Sequence, residues 1–250
     1  MGRYMDPYQE IAGHYDLEHD RWRDDVDFYL NIVRQGPVLE VGAGTGRVME
    51  PLLEAGFEVW GVDSSPAMLE RARARLTAHS QAHLVLGAIQ DLKLDVTFNT
   101  ALLPLNVLWH LDDVEARLTS LLTIRSHLAP GGLLVVDVTN PLTMAERGAN
   151  GELRQRFCTM RGDHQVRAVS AAWDDDTEQL LRLALIYDEV DAAGLVHRSS
   201  AELRLRYVYR SELELLLRLA HFRLEQLYGA YDLAAYASES PNIIAVATAC

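Results

Sequence analysis

The sequence predicts an α/β fold: a mostly parallel sheet with helices on both faces, carrying an inserted antiparallel sheet. Three observations predict it. Short apolar runs recur between residues 38 and 138 with helix-length segments between them, the pattern of βαβ units. The first and last of these runs, 38–41 and 133–138, are nearly all apolar, as strands covered on both faces are. From about residue 151 to 209 the texture changes to alternating apolar and polar residues, the mark of antiparallel strands with one wet face.

Residues 1–36 read as a helical preface to the core. Tyr4, Tyr8, Tyr15, Trp22 and Tyr29 are scattered among acids, and Val26, Leu30 and Val33 at helical spacing place a helix that ends near Gly36-Pro37. Residues 37–150 form the core, with strands at 38–41, 58–62, 83–86, 97–103 and 133–138. Ser64-Ser65-Pro66 supplies an N-cap and a first-turn proline for a helix through Met68, Leu69 and Leu76. Asp112 or Asp113 caps the next helix, whose Val114, Leu118, Leu121, Leu122 and Leu128 recur at helical spacing until Pro130-Gly131-Gly132 stops it. Residues 151–209 hold the inserted sheet, with strand runs at 165–173, 179–189 and 195–209 turned by Asp174-Asp175-Asp176 and Asp191-Ala192-Ala193-Gly194. Residues 210–250 return to the core with a leucine-rich helix over 211–220 and strands at 222–228 and 243–249.

Composition narrows the function. Of 250 residues, 49% are hydrophobic and 24% charged, values of a globular chain with a sizeable core, which excludes disordered and fibrous classes. Lys+Arg 23 against Asp+Glu 36 leaves a net charge of −13, a field that repels phosphate backbones and argues against nucleic acid as a partner. Arg71, Arg73 and Arg75 share a helical stretch with Glu70 and read as a solvated face. The N-terminal residues form no apolar leader and no run approaches the ~18 apolar residues of a membrane span, so a soluble cytoplasmic protein is expected. Cys158 and Cys250 lack CxxC spacing and imply neither a disulfide framework nor a zinc site. The histidines show no metal spacing either, and Asp174-Asp175-Asp176 reads as a hairpin turn, so no metal is expected.

The chemistry is concentrated in Leu39-Glu40-Val41-Gly42-Ala43-Gly44-Thr45-Gly46-Arg47, which ends one strand and opens a helix, with Asp63 at the tip of the next strand, 17 positions after Gly46. Glycines there admit a ligand close to the backbone, and an acid on the neighbouring strand suits the two hydroxyls of a ribose. A dinucleotide fingerprint calls for its third glycine at position 47, which is Arg47. Glu40 is a poor neighbour for an anionic pyrophosphate and a good one for a ligand bearing an ammonium and a sulfonium, as S-adenosylmethionine does.

At these residues the chain resembles the class I S-adenosylmethionine-dependent methyltransferases, small-molecule type. LEVGAGTGR matches their first motif, GVDSSPAMLERAR their second, and the resemblance runs on through LAPGGLLVVDVTNP to the final strands. It implies a Rossmann-like seven-stranded sheet whose last strand is antiparallel, with S-adenosylmethionine as cofactor and S-adenosylhomocysteine as product. It also implies that Glu40, Gly42, Ala43, Gly44, Asp63, Ser64, Met68, Ile89, Gln90 and Leu105 hold the cofactor, with the ribose on Asp63. Many relatives carry an acid directly after the glycine that ends their third strand, whereas Gly87 is followed here by Ala88, so Ile89 would pack on adenine while Gln90 or Asp91 accepts from its amino group.

Leu103-Pro104-Leu105-Asn106-Val107-Leu108-Trp109-His110 follows the fourth strand, where such sheets open onto the reacting group, and makes Asn106 and His110 catalytic candidates. His110 titrates in the range of a base, while the plainer reading is a histidine that fixes the loop. Tyr15 in this preface, lying as a lid over the cofactor, would stack on or donate to a substrate, or simply pack there. Arg204, Arg206 and Arg210 would meet an anionic substrate or form an exposed strand face beside Glu202. The function expected is methyl transfer to nitrogen or oxygen of a small molecule, with the inserted sheet shaping the pocket and supporting a homodimer as in sugar amine methyltransferases. The alternatives are a nicotinamide-dependent oxidoreductase, a methyltransferase acting on RNA or protein, and a binding module without turnover.

Overall fold

The computed structural model describes residues 6–250; Tyr4 and the extreme N-terminus lie outside them. Six helices, α1 (Ala12–His19), α2 (Asp24–Ile32), α3 (Met49–Glu54), α4 (Pro66–Arg75), α5 (Val114–His127) and α6 (Arg210–Leu219), surround two sheets. The main sheet contains β1 (Val38–Val41), β2 (Val59–Asp63), β3 (Ala82–Leu86), β4 (Phe98–Leu103), β5 (Leu128–Thr139), β10 (Phe222–Tyr228) and β11 (Asn242–Ala249), in the order β10-β11-β5-β4-β1-β2-β3. Only β11 runs antiparallel to its neighbours. This arrangement is the expected seven-stranded sheet.

The second sheet, β6 (Asn150–Arg161), β7 (His164–Asp175), β8 (Leu180–Val190) and β9 (Val196–Arg206), is a four-stranded antiparallel meander. Its inner face does not make a separate core. Leu181, Leu185, Tyr187, Leu203 and Leu205 join Leu39, Leu103, Leu108 and Trp109 in one apolar cluster on one side of the main sheet. A second cluster, on the other side, packs Phe28 and Tyr29 of α2 and Met49 and Leu52 of α3 under Val38 and Val59. Alternate residues of β1 thus feed opposite layers, which fixes where the strand's end lies between helices.

Four expectations need correction. The lid holds two helices, because α1 is short and half polar and gives little periodicity. α5 stops at His127, and Ala129 to Gly132 form a bulge inside β5, between the pairs Phe98–Leu128 and Thr100–Leu133, with Gly131 at φ 74°. β9 ends at Arg206, and Tyr207 and Val208 are already buried in the core. β6 was missed: it is an edge strand exposed along most of its length, so it shows no alternation to read.

Candidate functional site

The carboxyl ends of β1, β2 and β4 open into a cavity of about 580 Å³ that runs from the glycine loop to the lid. At its floor Gly42 N and Ala43 N donate to Val62 O at 2.8 and 3.1 Å, tying the loop to β2. Gly42 has φ +71°, and a methyl there would overlap the Val107 side chain; this is a position only glycine fills. Gly44 N donates to Asp63 Oδ2 and Ser65 N to Asp63 Oδ1, both at 2.8 Å, so the loop and the start of α4 aim the carboxylate jointly. Burial raises the Asp63 pKa, against the lowering effect of those donors. Ser65 caps α4 by accepting from Met68 N at 3.2 Å.

Glu40 is 2% exposed, and among the described residues its Oε2 has no hydrogen-bond partner. Burial pushes its pKa up to about 8, only partly offset by the Arg47 guanidinium, which is itself committed to Asp25. A buried carboxyl without a partner, lining a cavity, is a group that a cationic ligand would satisfy.

The cavity places Glu40, Gly42, Ala43, Gly44, Asp63, Ser64, Met68, Ile89, Gln90, Leu105, Tyr15 and His110 together along its walls. Ile89 is buried in a 3-10 turn after Ala88, and Gln90 follows it into the wall. Asp91 does not reach the cavity.

Asn106 does not belong with them. It stands in the left-handed region at φ 64°, its Nδ2 donating to Thr139 Oγ1 at 3.1 Å and its Oδ1 accepting from Thr139 N at 2.6 Å. With both ends of its amide bonded to Thr139 of β5, the residue shapes the Leu105–Asn106 turn. Beneath it, buried Asp137 accepts from Tyr29 and Tyr231 hydroxyls at 2.7 and 2.8 Å and anchors the same turn through Leu105 N.

At the lid end, Tyr8 Oη lies 3.3 Å from His110 Nε2, and the Tyr8 and Tyr15 rings meet edge to face at 6.3 Å. His110 keeps an accessible edge toward the cavity while protein groups crowd the rest of its ring. That desolvation brings its pKa down to about 4, so the imidazole is neutral at physiological pH. Burial raises both phenols above their ordinary value, and both stay protonated. Tyr8, Asp112 and the 202–204 segment of β9 also line this end; of these only Arg204 was singled out in the sequence as a site candidate, a contact for an anionic substrate or else an exposed strand face.

The N-terminal segment is tied to the core by ions and hydrogen bonds. Thr45 Oγ1 donates to Asp16 at 2.6 Å, Ser65 Oγ to Asp6 at 2.6 Å, and Arg75 bridges Asp20 at 2.8 Å. A larger crevice of about 820 Å³ outside the lid is lined by this same ion network, whose charges are spent on one another. Both cysteines are exposed and free. Among the described residues no cluster of side chains could hold a metal ion, and no helix is long and apolar enough to cross a membrane.

Comparison with known proteins agrees with this geometry. The sequence profile of a methyltransferase domain matches residues 38–132. The chain is 27% identical over 210 residues to the cypemycin N-terminal methyltransferase of a Streptomyces species, covering 84% of this chain and 81% of that one. The structure of the CcbJ methyltransferase from Streptomyces caelestis superposes with a TM-score of 0.81 at 26% identity over 98% of both chains. An amino pentose methyltransferase from Micromonospora echinaspora, solved with S-adenosylmethionine bound, shares the fold at a TM-score of 0.71 and 24% identity, covering 100% of this chain and 99% of that one. The fold, the glycine loop and these relatives converge, and the nicotinamide alternative falls away: this chain is an S-adenosylmethionine-dependent methyltransferase.

Proposed function

We propose that the enzyme methylates an amine nitrogen of a small-molecule acceptor. The observation that carries this reading is one continuous cavity with two chemically distinct ends. The glycine loop, Asp63 and the unpartnered Glu40 carboxyl line one end, and Tyr8, Tyr15, neutral His110 and Asp112 line the other. The first set fits S-adenosylmethionine. Asp63 keeps lone pairs for two ribose hydroxyls, Glu40 meets the ammonium, Ile89 offers an apolar face to adenine and Gln90 a hydrogen-bonding edge.

Bound there, S-adenosylmethionine would supply an electrophilic methyl group to the nitrogen, with its sulfur retaining the electron pair of the broken carbon–sulfur bond. The protein's own contribution is placement, which can supply much of the acceleration of such a displacement. Neutral His110 accepts an N–H from the acceptor and aims the nitrogen lone pair. With a pKa of about 4 the ring does not keep the proton, which passes to water at the cavity mouth. Tyr8 Oη steadies the ring at 3.3 Å, and Tyr15 closes over the acceptor. Asn106 acts at one remove, as a positioning residue for Leu105.

Two relatives, an N-terminal methyltransferase and a sugar N-methyltransferase, support nitrogen, beside one named as an O-methyltransferase. The outer face of the second sheet exposes Leu153, Met160 and Val196, apolar surface that a homodimer would cover; light scattering on the eluting protein measures that state. The test of function is calorimetric titration with S-adenosylhomocysteine, followed by mass spectrometry of amine and hydroxyl acceptors matched in shape. Methylation of amines in preference to alcohols is expected. Methylation of alcohols alone would overturn the choice of nitrogen.

A further inference from the structure

The cavity's open side is bordered by β9, the edge strand of the second sheet, which packs against the turn carrying His110. The register of the β8–β9 pair decides which backbone groups look outward. Tyr207 N donates to Gln179 O at 2.9 Å at one end, and Asp191 N to Leu195 O at 3.0 Å at the other. Leu203 stands opposite Leu183 and Leu205 opposite Leu181, so the odd-numbered residues of β9 carry the ladder. The even-numbered residues therefore turn their N–H and C=O groups away from β8. Arg206 bears this out, since its carbonyl accepts from the Arg117 guanidinium on α5.

The two residues before it with the same orientation are Glu202 and Arg204, which line the cavity. Among the described residues no protein group takes their backbone donors or acceptors. Nor do the Glu202 and Asp112 carboxylates, both at this border, have an ion-pair partner there. The border of the cavity is thus a short length of unpaired β-edge with acids beside it.

We propose that the acceptor amine is carried on a short peptidyl chain, which binds by adding an extended strand to β9 at Glu202–Arg204. The first amide beyond the amine pairs with the outward groups of the edge, as peptides do when they extend a sheet. Asp112 and Glu202 draw the terminal ammonium inward, and its neutral form is presented to His110. The two-residue spacing between Glu202 and Arg204 is the repeat at which an extended partner offers its groups to the same side. This inference rests on the amine reading above and names the class of molecule that bears the amine.

The experiment compares alanyl-alanine amide with its ester analogue, alanyl-lactic amide, and with isopropylamine, on the wild-type enzyme at saturating S-adenosylmethionine. Removing one N–H donor without changing shape is expected to raise KM three- to tenfold from amide to ester with kcat little changed, and isopropylamine is expected to be poorer still. In a second arm, Arg204→Pro deletes an outward N–H that the β8–β9 ladder does not use, as proline is tolerated on edges. It is expected to raise KM for the dipeptide amide and for the ester alike, because the edge loses the donor to a carbonyl that both carry, and to leave the amide–ester difference in place. Equal KM values for amide and ester overturn the proposal, as does methylation of isopropylamine in preference to the dipeptide. If none of the three amines is methylated by protein that binds S-adenosylhomocysteine, the amine reading itself is overturned and this inference with it.

Discussion

Replacing Glu40 by glutamine is expected to make the ligand-free enzyme more stable and to weaken its hold on S-adenosylmethionine at the same time. The carboxyl is buried, Oε2 is unpartnered, and its pKa stands at about 8 against an ordinary 4.5. A carboxyl whose pKa is raised by folding stabilises the fold relative to its ionised form only below the ordinary value, and that advantage is lost as the pH climbs toward 8. At pH 7 the interval from 4.5, at 1.36 kcal/mol per pH unit, amounts to about 3 kcal/mol of destabilisation in the wild type. Glutamine escapes it and incurs roughly 1–2 kcal/mol for an amide with an unmet partner. The net gain of about 1–2 kcal/mol corresponds to a rise in Tm of roughly 2–8 °C for a chain of this size.

Binding moves the other way. An ammonium about 4 Å from the ionised carboxyl, at an effective dielectric near 20, is worth about 4 kcal/mol, and ionising Glu40 at pH 7 takes back roughly 1.4. Loss of the remainder is a fall in affinity of roughly 100-fold. Differential scanning calorimetry from pH 5 to 8.5 and titration calorimetry at pH 7 read the two effects. The variant's advantage in Tm should widen across that pH range and level off above 8. An advantage that is constant with pH, or cofactor affinity that is unaltered, would refute the account of Glu40.

Asp63→Ala removes the ribose acceptor and also strands Gly44 N, which donates to it at 2.8 Å; cofactor affinity is expected to fall by roughly 1–3 kcal/mol while the protein remains folded by circular dichroism. Gly42→Ala meets both a left-handed φ of +71° and the Val107 side chain. It should lower Tm, and adding Val107→Ala should recover only the overlap, leaving the φ cost of about 1–2 kcal/mol in thermal melts. His110→Ala should reduce turnover with cofactor affinity spared. Because the ring is already neutral above pH 4, the wild-type rate should show no limb between pH 5 and 8 that disappears in this variant.

The main sheet was legible because most of its strands are apolar runs bounded by strong punctuation. β1 and β10 fall on their expected residues, and Ser65 and Asp113 cap α4 and α5 as expected. The glycine loop and Asp63 were equally legible, since a close backbone approach and a strand-tip acid leave marks at fixed spacing. The edge strand β6 was not, because neither of its faces is buried deeply enough to impose alternation. Asn106 lies outside the cavity wall for a different reason. Its sequence position is that of a cavity residue, but a left-handed turn swings its amide onto Thr139, and no local pattern announces that partner 33 residues away. Tyr8, Asp112 and Glu202 escaped notice as site elements because tertiary packing alone brings them beside His110.

The position of β11 has a consequence for how the enzyme is born. It inserts between β5 and β10, pairing Ile243 with Val138 and Ala247 with Leu134 on one side and Ala249 with Phe222 on the other. On the ribosome, residues 128–139 are made more than a hundred residues before the strand that covers their open edge. Until 242–249 emerge, the nascent chain presents an apolar, unpaired β5, and the four-stranded meander is made during this wait. Conditions that slow translation near the 3′ end of the message should therefore favour aggregation and chaperone capture more than a slowdown within the first hundred codons does.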